Sequence, residues 1–261
     1  MRSVTLGGAA VLALAVLLAG CAEQPPTAPI KVGDSQSSRD DSDDESNDSE
    51  TEEAPDFSLD DLAALSVPAS VDGLTVTTAG TPFDLSGSYD SFSTDWQSSG
   101  NTPDDCFRVT LASGLLDEAD GQTGDQAVNL GFVDNAWQDG RLASFGRVLD
   151  SADDAEELLS GFAESAERCS DGFQVQRGDG FWDVAGVDYR PAGITVPPTV
   201  AASTLDYRIA GASPTGFRMT YLQRGNAVVA VFAIVQPTSA FSVASVDQLA
   251  TSIAESLAAL D

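Results

Sequence analysis

The 261-residue chain contains no histidine. That absence removes Ser-His-Asp and Cys-His nucleophile pairs, His-ligated zinc and any imidazole pH switch. Basic residues are scarce: 12 Lys plus Arg stand against 41 Asp plus Glu, a formal net charge of −29. Nucleic acid and anionic membrane surfaces both demand a basic footprint, so neither is expected as a partner. Long apolar runs are missing too. After the first 20 residues the longest is 227–235, nine residues, where a helix crossing a bilayer needs roughly 20. Cysteine occurs three times and never in Cys-x-x-Cys spacing. What is present, 42% hydrophobic and 7% aromatic residues, suffices for a buried core in one or two domains.

Residues 1–20 read as a secretory signal peptide: Arg2, an apolar run from Ala9 to Leu18, then Ala19-Gly20 directly before Cys21. The Leu18-Ala19-Gly20-Cys21 ending resembles the lipobox of bacterial lipoproteins. That resemblance implies cleavage before Cys21, a diacylglyceryl thioether on its sulfur, and a further acyl group such as palmitate on the new amino terminus. Two or more chains anchor stably where one is marginal. The expected location is therefore the extracytoplasmic face of the cell membrane, with the lipid bilayer as a partner through acylated Cys21.

Residues 21–55 form the next segment, the lipidated Cys and an acidic linker. From Ala22 onward Pro, Ser, Asp and Glu dominate, with 11 acids and two bases over 22–55. So few apolar residues cannot offset the entropy of ordering, which predicts disorder. These 34 residues would separate domain from membrane by roughly 30 Å or more. The Asp-Ser run at 37–46 lacks the Gly and spaced oxygen ligands of a calcium loop and reads as a solvated spacer.

Residues 56–261 are expected to form a single α+β domain. They hold 30 acids and nine bases, every base an Arg. Capping-box patterns mark three helices: Ser58 to Asp61, ending near Leu65; Ser151 to Asp154, carrying Leu158, Leu159, Phe162, Ala166 and Cys169 on one face; and Ser245 to Gln248, with a Leu249, Ile253, Leu257, Leu260 stripe. Strands are predicted over 106–111, 127–133, 143–149, 172–177, 205–210, 216–223 and 227–235. Arg224-Gly225-Asn226 supplies a turn between the last two. The fully apolar 227–235 belongs in the middle of an antiparallel sheet covered on both faces, since an exposed edge of that composition aggregates. The Ser, Gly and Thr-rich stretch 75–103 is expected to be irregular.

Cys106 and Cys169 remain after Cys21. In a secreted chain the simplest use of two internal cysteines is one disulfide. A thiol nucleophile or redox pair is the rival, but no neighbouring Lys or His is there to lower a thiol pKa.

A strand headed by Cys106, the Asp150-Ser151-Ala152-Asp153-Asp154-Ala155 helix start running to Cys169, Phe181-Trp182-Asp183-Val184, and Gly225-Asn226-Ala227-Val228-Val229-Ala230-Val231 before an Ala-rich C-terminal helix follow one another. This succession resembles the PknH-type extracellular sensor domain, found on mycobacterial receptor kinases and on free-standing actinobacterial lipoproteins. The resemblance implies an antiparallel sheet packed with helices around a cleft that receives an extracellular ligand. One Cys pair stands here where two are usual. With no kinase domain or transmembrane helix in the sequence, sensing would require a separate signalling partner.

Catalytic candidates are thin. Adjacent acids such as Asp104-Asp105, Asp117-Glu118 and Asp153-Asp154 are expected by chance at this acid content, and adjacency is not the cross-cleft spacing of a glycosidase. Gly121 and Gly124 lack the Lys-Ser/Thr of a phosphate loop. No cofactor or metal is implied. Trp137 and Trp182 are the candidate ligand-stacking residues, although a buried core Trp is the commoner outcome. The nine Arg could supply a carboxylate or phosphate binder, with pairing to surface acids as the ordinary alternative. Two functions follow: a non-enzymatic binding or sensor module for a small molecule or envelope component, or a lipid or glycolipid carrier built around a large apolar cavity. The doubly covered 227–235 strand favours the first.

Overall fold

The computed structural model describes residues 54–84, 96–98, 104–111, 126–134, 141–177, 180–211, 215–237, 239 and 242–261. Eleven strands and four helices are found among them: α1 (Leu59–Ala63), β1 (Ser70–Val71), β2 (Leu74–Thr75), β3 (Thr77–Asp84), β4 (Trp96–Ser98), α2 (Asp104–Leu111), β5 (Gln126–Asp134), β6 (Arg141–Val148), α3 (Ala152–Arg168), β7 (Phe173–Arg177), β8 (Gly180–Pro191), β9 (Ala201–Ile209), β10 (Thr215–Arg224), β11 (Ala227–Val235) and α4 (Val243–Ala258). Nine strands make one antiparallel sheet in the order β3-β5-β6-β11-β10-β9-β8-β7-β4. The fold is α+β, as expected. Cys21, the linker to Glu53, and Trp137 lie outside the described residues.

Composition explains why β11 sits in the middle. Val228, Ala230 and Phe232 join the core beneath α2 and α3, while Ala227, Val229, Val231 and Ala233 join the core beneath α1 and α4. With helices on both faces a strand has no polar side, so the usual alternation disappears. β7 to β11 form a meander, and α3 carries the chain across from β6 to β7. β11 then fills the gap between β10 and β6.

Each long helix buries one stripe. In α3 this is Ala155, Leu158, Leu159, Phe162 and Ala166, spaced three and four apart, with the Phe162 ring 5.4 Å from that of Tyr221 on β10. Ser151 starts the helix by accepting from the Asp154 amide. In α4 the stripe is Val246, Leu249, Ala250, Ile253, Ala254 and Leu257. Its cap is Ser242, paired with Ser245 in a capping box, so the helix begins three residues before the expected start: Ser245 serves as N3 of the box rather than as its cap. At the other end Arg224 donates from Nη1 to the carbonyls of Leu257 (2.9 Å) and Leu260 (2.6 Å), tying the last turn of the helix and the residues after it to β10.

Two expectations fail for identifiable reasons. The segment 106–111 is helical, not a strand. Cys106, Val109 and Thr110 are buried, at spacings of three and four, and a short β-branched run cannot by itself distinguish helix from strand. The helix is held to α3 by the Cys106–Cys169 disulfide (Cα–Cα 5.5 Å) and by Arg108. The Arg108 guanidinium lies over the Phe162 ring at 5.7 Å and fills the space a side chain at Gly161 would need. The stretch 75–103 contains β3 and β4, whose Ser, Gly and Thr content hid them. The twelve-residue β8 also went unpredicted, because Gly186 breaks its pattern.

Candidate functional site

α4 covers the sheet above β10 and β11 and leaves the same face open toward β8, where Ala185, Asp188 and Arg208 are exposed. Strand register lays this area out in rows, because directly opposed residues of antiparallel neighbours point to one face. One row runs Ala185, Arg208, Gly216 and Val235 across β8, β9, β10 and β11. The next runs Asp188, Asp206, Arg218 and Ala233, and Arg190 follows beside Thr204.

A β-bulge in β8 sets this arrangement. The register slips between Ala185 and Asp188, and Gly186 takes a φ of 64° that favours glycine. Unbroken pairing would set Val187 opposite Asp206. The extra residue instead sends Val187 into the core under α3 and brings Asp188 to the open face.

Asp188 and Asp206 then stand opposite each other, a like-charge pair that needs compensation. Arg190 bridges them, donating from Nη1 to Asp188 and from Nη2 to Asp206 Oδ2 (2.6 Å). Arg218 grips the same Asp206 through a two-pronged contact, Nε to Oδ1 and Nη2 to Oδ2, each 2.8 Å. Its Nη1 lies 3.5 Å from Asp247 on α4, so the chain of charges fastens the first turns of that helix to the sheet. Arg218 is 16% exposed and Asp206 26%. Burial by itself would raise the Asp206 pKa, but the hydrogen bonds and charges of Arg218 and Arg190 outweigh it, and the carboxyl is held below its ordinary value. The same bonds to Asp206 raise the pKa of both arginines. Arg208 differs: its guanidinium is exposed and makes no ion pair or side-chain hydrogen bond among the described residues.

Between these charges and the start of α4 lies an open groove of about 740 Å3, within the size range of small-molecule sites. Val235 and Val243 line it as apolar wall, and Val243, 42% exposed, is one of two large hydrophobic residues exposed among the described residues. Gly216 lies opposite Arg208, and a Cβ there would meet only the Val235 carbonyl, at 3.6 Å.

Of the residues singled out from sequence, Cys106 and Cys169 form the disulfide. Trp182 is half-buried against the core under α3, on the sheet face opposite the arginines, so it takes no part in the groove. The sequence reading did not single out Arg190, Asp206, Arg208 and Arg218. Their signal was the placing of charged residues at alternate positions inside strands, 188 and 190, 206 and 208, where an apolar face would otherwise continue.

No family model matches the chain, and no curated protein matches it in sequence. Among solved structures it is similar to the extracellular domain of PknH from Mycobacterium tuberculosis. The identity is 15%, the match covers 69% of this chain and 82% of that one, and the TM-score is 0.41.

Proposed function

We propose that this chain is a membrane-anchored extracytoplasmic lipoprotein whose α+β unit is a non-enzymatic ligand-binding or sensor module, with the groove beside Arg208 as its ligand site. The observation that carries the reading is the groove itself: an open volume of about 740 Å3 built by four strands and a helix end, and braced by five linked charges. Side chains braced in this way hold their positions before a ligand arrives, which lowers the entropy cost of binding.

Other features support parts of this reading. The Cys106–Cys169 disulfide suits an oxidising compartment outside the cytoplasm. Asp188, Asp206 and Asp247 are each engaged by an arginine, which suits scaffolding better than proton transfer. The described chain begins beside the β10–β11 turn, where Asn226 binds Asp56 and Phe57. Arg218 lies six residues back along β10, about 20 Å away. The first described residues and the groove therefore lie at opposite ends of the β10–β11 hairpin. Dense packing on both faces of β11 favours this reading over a carrier, which needs an apolar cavity between sheet and helices.

Native mass spectrometry of the protein purified from its own organism tests the proposal. A retained small ligand whose mass is lost on substitution of groove residues is the expected result. A retained membrane lipid held within the apolar core would overturn it in favour of a carrier.

A further inference from the structure

The nine arginines of 56–261 are unevenly spread. Residues 56–189 hold 26 acids and five Arg, whereas 190–261 hold four of each. All the net charge of the unit thus lies in its first two thirds. Three of the last four arginines, Arg190, Arg208 and Arg218, line the single groove described above. In a chain this acidic an anionic ligand meets repulsion over most of the surface. Screening confines that field to about 8 Å at physiological ionic strength, so the local arginines decide what binds.

Two of the three are already engaged by Asp206. That carboxylate takes the Nε and Nη2 edge of Arg218 and Nη2 of Arg190, whose Nη1 goes to Asp188, while Nη1 of Arg218 faces Asp247 at 3.5 Å; both planes are thereby fixed, and the second N–H of each Nη is left for a ligand. Arg208 keeps its whole fork for an incoming group. Opposite it the Gly216 position is open, and the groove continues onto Val235 and Val243. A planar donor fork matches the two oxygens of a carboxylate or phosphate, and an exposed valine wall beside it is covered only by something apolar.

We propose, resting on the reading of the groove as the ligand site, that its ligand is a small amphipathic oxyanion. A carboxylate or phosphate binds Arg208 and Arg218, and a short apolar body lies on Val235 and Val243. Asp206 is a positioning residue that holds Arg218 and Arg190 in place.

The test uses the full mature lipoprotein in neutral phosphatidylcholine nanodiscs. It follows the Val235 and Val243 methyl and the Arg Nε–Hε resonances during titration with benzoate, phenyl phosphate, inorganic phosphate and benzyl alcohol. Benzoate or phenyl phosphate should shift both valines and both Arg208 and Arg218, and the tighter of the two identifies the headgroup. Arg208→Gln, at an exposed position without a partner among the described residues, should weaken binding tenfold or more, in line with a lost charge-assisted bond. Val243→Ser should weaken phenyl phosphate but not inorganic phosphate.

Benzyl alcohol binding as tightly as benzoate, or an unchanged affinity in Arg208→Gln, overturns the anion assignment and leaves the groove as the ligand site. Inorganic phosphate binding as tightly as phenyl phosphate overturns the apolar half. If no probe shifts a groove residue while the retained native ligand maps there, the anion inference alone falls. If that ligand maps elsewhere, the reading of the groove falls with it.

Discussion

Asn226→Ala should detach the start of the folded unit from the sheet. Asn226 is 3% exposed and occupies the turn between β10 and β11. Its Oδ1 accepts from the Phe57 amide at 2.7 Å, and its Nδ2 donates to the carbonyls of Phe57 and Leu149, each at 3.1 Å, and to the Asp56 carboxylate. Alanine keeps the backbone bond from Leu149 N to the residue 226 carbonyl (2.9 Å) and loses all the others. A buried amide left unpaired costs about 1–3 kcal/mol, and each lost bond to a carbonyl about 1 kcal/mol. Shared donors and the wet side of Asp56 reduce the sum, giving roughly 3 kcal/mol. That is a large share of a typical domain stability of about 5–15 kcal/mol. It corresponds to a fall in Tm of roughly 6–12 °C.

Urea unfolding at constant m-value measures the loss, and hydrogen exchange at the Phe57 amide locates it. A loss under about 1 kcal/mol with Phe57 still fully protected would refute the reasoning, because the arm would then be held by the packing of Phe57, Leu62 and Leu65 and by Arg224 over the Phe57 ring. Asn226→Asp sharpens the test. It keeps the acceptor for Phe57, removes the donors and sets a second carboxylate beside Asp56. Two adjacent carboxyls raise each other's pKa in the folded state, so this variant should be closer to the parent at pH 4 than at pH 7.

Three further outcomes are expected. Cys106→Ala with Cys169→Ala should lose about 4 kcal/mol on the chain-entropy relation, since the bond closes a separation of 63 residues; iodoacetamide labelling of both cysteines in the unreduced native protein would deny the bond. Asp206→Asn should destabilise the protein at neutral pH. The native carboxyl is held below its ordinary value, so its contribution is present above the unfolded value of about 3.9 and is lost as pH falls through the lower folded value. The stability gap between parent and variant should therefore be flat from pH 7 to about pH 5 and close below about pH 4, as urea midpoints across that range would reveal. Cys21→Ala should release the protein into the medium, and retention in the membrane fraction would remove the lipid anchor.

The parts legible in the sequence are those where one local rule acts alone. Ser58, Ser151 and the 227–235 run announced a cap, a cap and a central strand because capping and two-sided burial each leave a direct mark in composition. The α2 segment misled because its register is set from outside: a disulfide to Cys169 and the Arg108 contact with α3 select the helix over a strand of equal local preference. The groove was obscure for a related reason. Nothing local says that Asp206 and Arg218 are neighbours; that depends on β9 and β10 pairing with 206 opposite 218. Nothing local says that Asp188 faces the same way as Arg190 and Asp206 until the bulge at Gly186 is known.

The β10–β11 hairpin ties these observations to one another. Its turn requires the positive φ of Gly225 (54°), and a Cβ there would lie 1.8 Å from the Pro55 carbonyl oxygen, so the chain from the N-terminus passes directly against this glycine. Arg224 beside it stacks over Phe57 at 5.1 Å and ties down the end of α4. The opposite end of the same hairpin supplies Gly216, Arg218 and Val235 to the groove, and the opposite end of α4 supplies Val243. Two elements that run side by side thus carry the attachment at one end and the arginines at the other. Residues 54–57 and an occupant of the groove do not compete for space, and replacing Gly225 should disturb the attachment while leaving Arg208 and Arg218 where they are.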